Sequence, residues 1–235
     1  MTNQIVKGYD GSIHAPTAEV GSEVKKGGHK KEDVYAARVG GTVIKGRQKP
    51  DVKIGKHNDS VKGPLKNVQG LLTSINTVDS YYDRDNPLNI YQRSAYEYRK
   101  FKKENNNLKN LNLFEAMVED AEEVAEYLRN KDNFREIIEK VFSDGYSADR
   151  LVILKKITED AYRYDMREVV DLYVNSNYKI HVTGGGKIVV KADGLEIFYI
   201  ETRGGKNLGG MNHGVRADKL YTFLEENLDC DVIPA

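Results

Sequence analysis

The sequence predicts an α/β (α+β) fold, on three observations. Short β-branched stretches broken by glycine lie between Thr42 and Gly63, apolar residues recur at helical spacing through the middle of the chain, and the last third changes to strand-like runs separated by glycine turns. At roughly 150 residues per domain, the 235 residues suit one large domain or a core with an elaborate insertion. We therefore expect a single domain over 1–235, made of a first part at 1–78, a helical region at 79–176 and a C-terminal β-meander part at 177–235.

Each element follows from its residues. Gly8, Gly11, Pro16, Gly21, Gly27 and Gly28 make the first 28 residues loop-rich. Lys30 to Val39 predicts a helix, stopped by Gly40 and Gly41. Thr42 to Lys45, Val52 to Ile54 and Ser60 to Lys62 read as short strands, broken by Gly46, Gly55 and Gly63. Val68, Leu71, Leu72 and Ile75 fall at helical spacing and predict a helix packed on those strands. After a polar stretch from Asp79 to Asn89, Tyr91, Ala95, Tyr98 and Phe101 predict a helix over Ile90 to Glu104. The stripe Leu113, Met117, Ala121, Val124 and Leu128 predicts another over 112–129. Further helices are expected at 132–142, 147–157 and 164–174. Tyr178 to Val182, Lys187 to Lys191 and Leu195 to Glu201 predict a β-meander turning at Gly184-Gly185-Gly186 and Asp193-Gly194, and Arg216 to Glu226 closes as a helix.

Composition removes several classes. The apolar run Leu151 to Leu154 is far shorter than the roughly 20 residues of a membrane span, and Met1 to Lys30 holds no apolar signal region, so a soluble cytoplasmic protein is expected, with no membrane partner. The lone Cys230 excludes an internal disulfide and a multi-cysteine zinc site. Charge is balanced overall at 36 basic and 36 acidic residues, but residues 1–70 carry +6 and residues 111–176 carry −7. A molecule polarised in this way can bind a polyanion and stay soluble.

The chemistry-bearing stretch is Lys49-Pro50-Asp51-Val52-Lys53-Ile54, followed by Asp59-Ser60-Val61-Lys62-Gly63. A four-residue loop at Gly55 to Asn58 would pair 54 with 59, 53 with 60, 52 with 61 and 51 with 62. Alternation then puts Val52, Ile54 and Val61 on the core face and Asp51, Lys53, Ser60 and Lys62 on the other, with Asp59 among the apolar set. A carboxylate, a hydroxyl and an amine beside a basic surface suit phosphodiester hydrolysis. Asp51 can hold Mg²⁺, the Val61 carbonyl can add an oxygen, and Lys62 can orient the attacking water. One carboxylate is thin for a metal, and Glu32, on the helix before the strands, is the best-placed second.

Pro50-Asp51, then Ser60-Val61-Lys62, preceded by a helix with Glu32, resembles the PD-(D/E)xK nuclease superfamily and most closely its type II restriction endonucleases. The departure is Ser60, where most of the superfamily has Asp or Glu; some members use Ser-x-Lys and import the missing acid, which the resemblance assigns to Glu32. It also gives Gln69 a place in the catalytic set. It implies a core of a small mixed sheet flanked by helices, Mg²⁺-dependent hydrolysis of double-stranded DNA at a specific sequence, a homodimer on DNA and a cognate DNA methyltransferase in the same system.

Base reading is expected from the loop after the last meander strand, through Arg203, Lys206, Asn207, Asn212 and His213, whose donors suit base edges. Lysines at 25, 26, 30, 31, 45 and 49 are expected to contact phosphates, Lys30 and Lys49 foremost. Gly41 to Gln48 has the glycine spacing of a phosphate-binding loop but lacks its lysine and hydroxyl, and Gly184 to Gly186 is more simply a hairpin. Two other readings stand beside restriction: a repair or recombination nuclease of the same fold, and a non-catalytic DNA-binding protein with a decayed site.

Overall fold

A computed structural model describes residues 6–7, 13–14, 30–44, 50–63, 67–143, 147–156, 158–203 and 209–235, with backbone alone at 6–7, 13–14 and 67–69. Within them the chain is a mixed α/β protein with sheets of two, five and six strands. No helix among the described residues is long and apolar enough to cross a membrane. The chain divides into two compact units, each built from separate stretches: Met1–Lys66 with Ser143–Val169 and Leu228–Ala235, and Asn67–Phe142 with Val170–Asn227. The boundaries expected at 78/79 and 176/177 do not coincide with this partition.

The first unit holds a two-stranded pair, β1 (Val6–Lys7) with β2 (Ile13–His14), and the six-stranded sheet. The sheet is formed by β3 (Thr42–Val43), β4 (Val52–Ile54), β5 (His57–Lys62), β7 (Arg150–Leu154), β8 (Ala161–Asp165) and β13 (Asp231–Ile233), in the order β13-β8-β7-β5-β4-β3. Every neighbouring pair is antiparallel except β5 and β7, which are parallel, so the sheet is mixed. Helix α1, residues 30–39, lays Tyr35 and Ala36 on Val52, Val61, Val152, Leu154 and Ala161, and this cluster is the core of the sheet's covered face. Gly40, at φ +63°, ends α1 as expected.

The second unit has the five-stranded antiparallel sheet, in the order β6-β12-β11-β10-β9: β6 (Asn67–Thr73), β9 (Tyr178–Val182), β10 (Ile188–Ala192), β11 (Leu195–Arg203) and β12 (Gly210–Arg216). Helices α2 (Pro87–Glu104), α3 (Leu111–Tyr127), α4 (Lys131–Phe142) and α6 (Ala217–Glu225) belong to this unit, and α5 (Met166–Asn175) straddles the partition. Asn86 and Asn110 cap α2 and α3, their side chains accepting from the Leu88 and Leu113 amides. The expected meander is present, its second turn carrying Asp193 at φ +49° and Gly194 at φ +83°, the signature of a two-residue hairpin turn.

Three expectations are corrected. Residues 147–157 do not form a helix: Leu151, Val152, Ile153 and Leu154 are at most 1% exposed in the central strand β7, and a strand covered on both faces reads as a continuous apolar run without period. The helix expected through Val68 to Ile75 is largely strand β6, where a Cβ on Gly70 would run into the Val141 side chain, the mark of a close backbone approach. The β4–β5 hairpin turns in two residues, not four, pairing Val52 with Asp59, Lys53 with Asn58 and Ile54 with His57; Gly55, at φ +58°, permits the tight turn. That slip is of two residues, and a slip by an even number keeps every side chain on its face.

Candidate functional site

Pro50 delivers the chain into β4 with Asp51 as the hinge. The Asp51 N–H donates to the Asp59 carbonyl and the Asp51 carbonyl accepts from the Ile44 N–H, both at 2.9 Å, so its backbone is fixed from two sides. Its carboxylate turns to β5. Oδ2 accepts from the Val61 N–H at 2.7 Å, with Ser60 Oγ at 3.5 Å and Lys62 Nζ at 3.9 Å. Oδ1 has no partner among the described residues. One oxygen is thus held and the other open, on a side chain that is 21% exposed. The structure brings Asp51, Ser60, Val61 and Lys62 together, with Val61 entering through its amide.

The surroundings sharpen this charge pair. Leu151 and Ile153 lie opposite Ser60 and Lys62 on β7, both buried, and Lys62 itself is only 12% exposed. Little water screens the ammonium from the carboxylate, which raises the field at the open oxygen. Ser60 is fully buried, so its hydroxyl serves Asp51 rather than solvent.

Asp59 faces the core, as alternation requires, and is spent there. Tyr35 Oη donates to Oδ2 and Arg150 Nε to Oδ1, each at 2.6 Å. Burial, with the Asp59 carboxylate beside it, pushes the Tyr35 phenol well above its ordinary range. The sequence carried no local signal for Arg150, which lies 91 residues away. Asp149, equally distant, was also missed: its Oδ2 accepts from the Asn58 N–H at 2.8 Å and lies 3.3 Å from His57 Nδ1, pinning the start of β5 to the approach to β7.

Glu32 lies half-buried on α1 next to Lys31. Lys31 was expected to contact phosphate from the surface, but it is only 4% exposed and runs against Gly63, where any Cβ would overlap its Cδ, Cε and Nζ. Burial lowers its pKa below the ordinary lysine value while the Glu32 charge opposes that shift. A glycine directly after Ser-Val-Lys was the available sign that another side chain passes there. Lys30, by contrast, is exposed.

The remaining assignments separate. Gln69 is on β6 of the second unit, on a strand and not on the expected helix. Arg203 ends β11 opposite Gly210, half-buried. Asn212 and His213 are corrected: both are strand residues of β12, 1% and 0% exposed, with Asn212 Nδ2 donating to Tyr199 Oη and His213 Nε2 bonded to Tyr82 Oη, each at 3.1 Å. Side chains enclosed in a sheet core cannot reach a base edge. Lys49, Lys206 and Asn207 lie outside the described residues.

The donor set bears on a metal directly. No three His, Cys, Asp or Glu side chains gather among the described residues. Mg²⁺ keeps several waters and needs only one or two carboxylates together with substrate phosphate, so a single open Asp51 oxygen fits that ion and not one that demands an all-protein cage. Compared with known proteins, the chain matches no family model and no curated sequence.

Proposed function

We propose that the chain is a Mg²⁺-dependent type II restriction endonuclease with a PD-(D/E)xK core, cutting double-stranded DNA at a specific sequence. The observation that carries the reading is the Asp51 carboxylate, fixed by the Val61 N–H with one oxygen open and the Lys62 ammonium 3.9 Å from the other. The arrangement of parts supports it: helix α1, then three antiparallel strands with Asp51 and Lys62 on one hairpin, then the parallel strand β7, a small mixed sheet with a helix on its face.

Asp51 would hold the ion through Oδ1, with Glu32 and the Val61 carbonyl as the further proposed oxygens. Bound there, Mg²⁺ would acidify a water and draw charge from the scissile phosphate. The chain's own groups do the rest. The Val61 N–H keeps Asp51 from rotating, Lys62 holds the attacking water in line and complements the charge that builds on the phosphorane, and the apolar wall of Leu151 and Ile153 keeps that charge interaction strong. The water oxygen would bond to phosphorus and lose its proton to solvent as the P–O3′ bond breaks and O3′ takes up a proton from solvent, leaving a 5′-phosphate and a 3′-hydroxyl end. As a restriction enzyme it would act as a homodimer on DNA beside a cognate methyltransferase.

A DNA-binding protein with a decayed site is the second reading, favoured by the fully buried Ser60 in the acid's place. Incubating the full chain with plasmid and Mg²⁺ tests both. Discrete fragments support restriction, a smear or nicking at special structures points to a repair nuclease, and a mobility shift without cutting to the decayed site. Fragments from Asp51→Ala or Lys62→Ala at the normal rate would remove the site.

A further inference from the structure

Strand β9 is an edge of the five-stranded sheet, and two depressions of about 690 and 490 Å³ flank it, sharing Asn177, Lys179 and Ile180. Arg129 and Lys131 line the first, His181 and Lys191 the second. Lys131, Lys179, His181 and Lys191 are exposed and have no ion pair among the described residues, whereas Arg129 is paired with Glu126 and the nearby Lys187 with Glu196. Lys179 and Lys191 are direct cross-strand partners, so two ammonium groups leave the same face from adjacent positions. Like charges placed directly opposite on a sheet are destabilising. Protection of the sheet edge accounts for Lys179, but not for Lys191, which is on the interior strand β10, nor for Lys131 at the start of α4. Of the acids nearby, Asp193 lines the second depression, Glu126 is engaged by Arg129, and Glu196, the β11 partner of Lys191, is engaged by Lys187.

We propose that this groove of the second unit binds the phosphodiester backbone of duplex DNA, through residues other than those of the Asp51 hairpin. The proposal rests on the reading of the chain as a protein that acts on DNA. Duplex DNA carries one negative charge per about 1.7 Å of axis. An acidic peptide added to β9 as a further strand would aim only alternate side chains at this face, one per about 6.8 Å. The denser ligand matches Lys131, Lys179, His181 and Lys191 spread across two depressions that share lining residues. Asn175 and Asn177, exposed in the same groove, supply the neutral amide donors that accompany cations on phosphate oxygens.

The test is equilibrium binding of the full chain to a 30-bp duplex without Mg²⁺, across a salt series, so that binding is read without cutting. Replacing Lys131, Lys179 and Lys191 by Gln removes three phosphate contacts. The log–log salt slope should then flatten by about 2.7 and affinity at 0.1 M salt should fall about 500-fold. The thermal midpoint should stay level or rise, since the Lys179–Lys191 repulsion is gone. Lys103→Gln with Lys109→Gln, exposed residues outside the groove, should leave the slope within one unit. If the wild type binds and cuts but the triple variant binds with unchanged slope and affinity, the groove assignment falls and the nuclease reading stands. A wild type that binds no duplex at low salt overturns both. Competition by polyglutamate as strong as by DNA would overturn the assignment in favour of an acidic protein partner.

Discussion

Asp51 and Asp59 are eight positions apart, and the structure sets them in opposite surroundings, one part-exposed and one fully buried, which makes Asp59→Asn the most informative single change. Asp59 is 0% exposed and takes two 2.6 Å bonds, one from Tyr35 Oη and one from Arg150 Nε. Asparagine can still accept one of them. It cannot balance the Arg150 guanidinium, whose side chain is only 16% exposed and whose Nη2 has no hydrogen-bond partner among the described residues. Removing one member of a buried ion pair costs about 3–5 kcal/mol, set against the roughly 5–15 kcal/mol that holds a protein folded. With a urea m-value of about 2 kcal/mol/M, the unfolding midpoint should fall by about 1.5–2.5 M, and exchange of the β5 amide protons should accelerate accordingly. Asp51→Asn, at a side chain that is 21% exposed and keeps an acceptor for the Val61 N–H, should cost under about 1.5 kcal/mol while abolishing cleavage. Arg150→Met added to Asp59→Asn should recover part of the loss, because the unbalanced charge leaves with it. A stability loss under about 1 kcal/mol for Asp59→Asn, or a larger loss from Asp51→Asn than from Asp59→Asn, refutes this division of labour.

Further outcomes follow from particular contacts. Lys62→Met should keep duplex affinity and lower turnover by about 10²–10⁴-fold in a single-turnover assay. Gly70→Ala drives a Cβ into the Val141 side chain and to 3.1 Å from its carbonyl oxygen, and calorimetry should show a loss of about 1–3 kcal/mol. Tyr82→Phe removes the hydrogen bond between Tyr82 Oη and the buried His213 Nε2 and should cost about 1–3 kcal/mol in a urea titration, and Asn212→Ala should leave site preference across a panel of duplexes unchanged. Hydrogen bonds from Asn89 and Arg93 lower the Asp79 carboxyl to about 2, below its unfolded value, so its contribution to stability is present above about pH 4 and lost as the pH falls toward 2; Asp79→Asn should remove that dependence in an acid titration.

What the sequence could disclose depended on how local each determinant was. Helices α2, α3, α4 and α6 were legible because one face of each is buried, which writes a 3.6-residue period into the chain. The meander was legible because its turns need Gly186, Asp193 and Gly194 at positive φ. β7 was not, because burial on both faces erases period, and β6 was not, because its partner β12 lies about 140 residues on. The grouping of Asp51, Ser60 and Lys62 survived a wrong loop length because alternation, unlike register, is insensitive to a two-residue slip. Asn212 and His213 look like base-reading donors in isolation. Only the pairing of β12 between β6 and β11, with Tyr82 and Tyr199 as partners, shows that they are internal.

The parallel pairing of β5 with β7 constrains how the candidate site can form. Parallel neighbours need a long crossover, and here the chain between Lys62 and Arg150 includes residues 67–142, which belong to the other unit. The wall beside Ser60 and Lys62, the counter-ion of Asp59 and the anchor of the Asn58 N–H all come from residues 149–153, beyond that insertion. A hairpin of residues 50–63 alone would therefore expose both Lys62 and Asp59 to water and leave Asp59 without its Arg150 counter-ion. Closing so long a loop is slow, and its entropic cost must be met before any of these contacts repays it. The geometry that makes Asp51 and Lys62 a chemical pair is accordingly a property of the completed unit, not of the short motif in which the two residues are written.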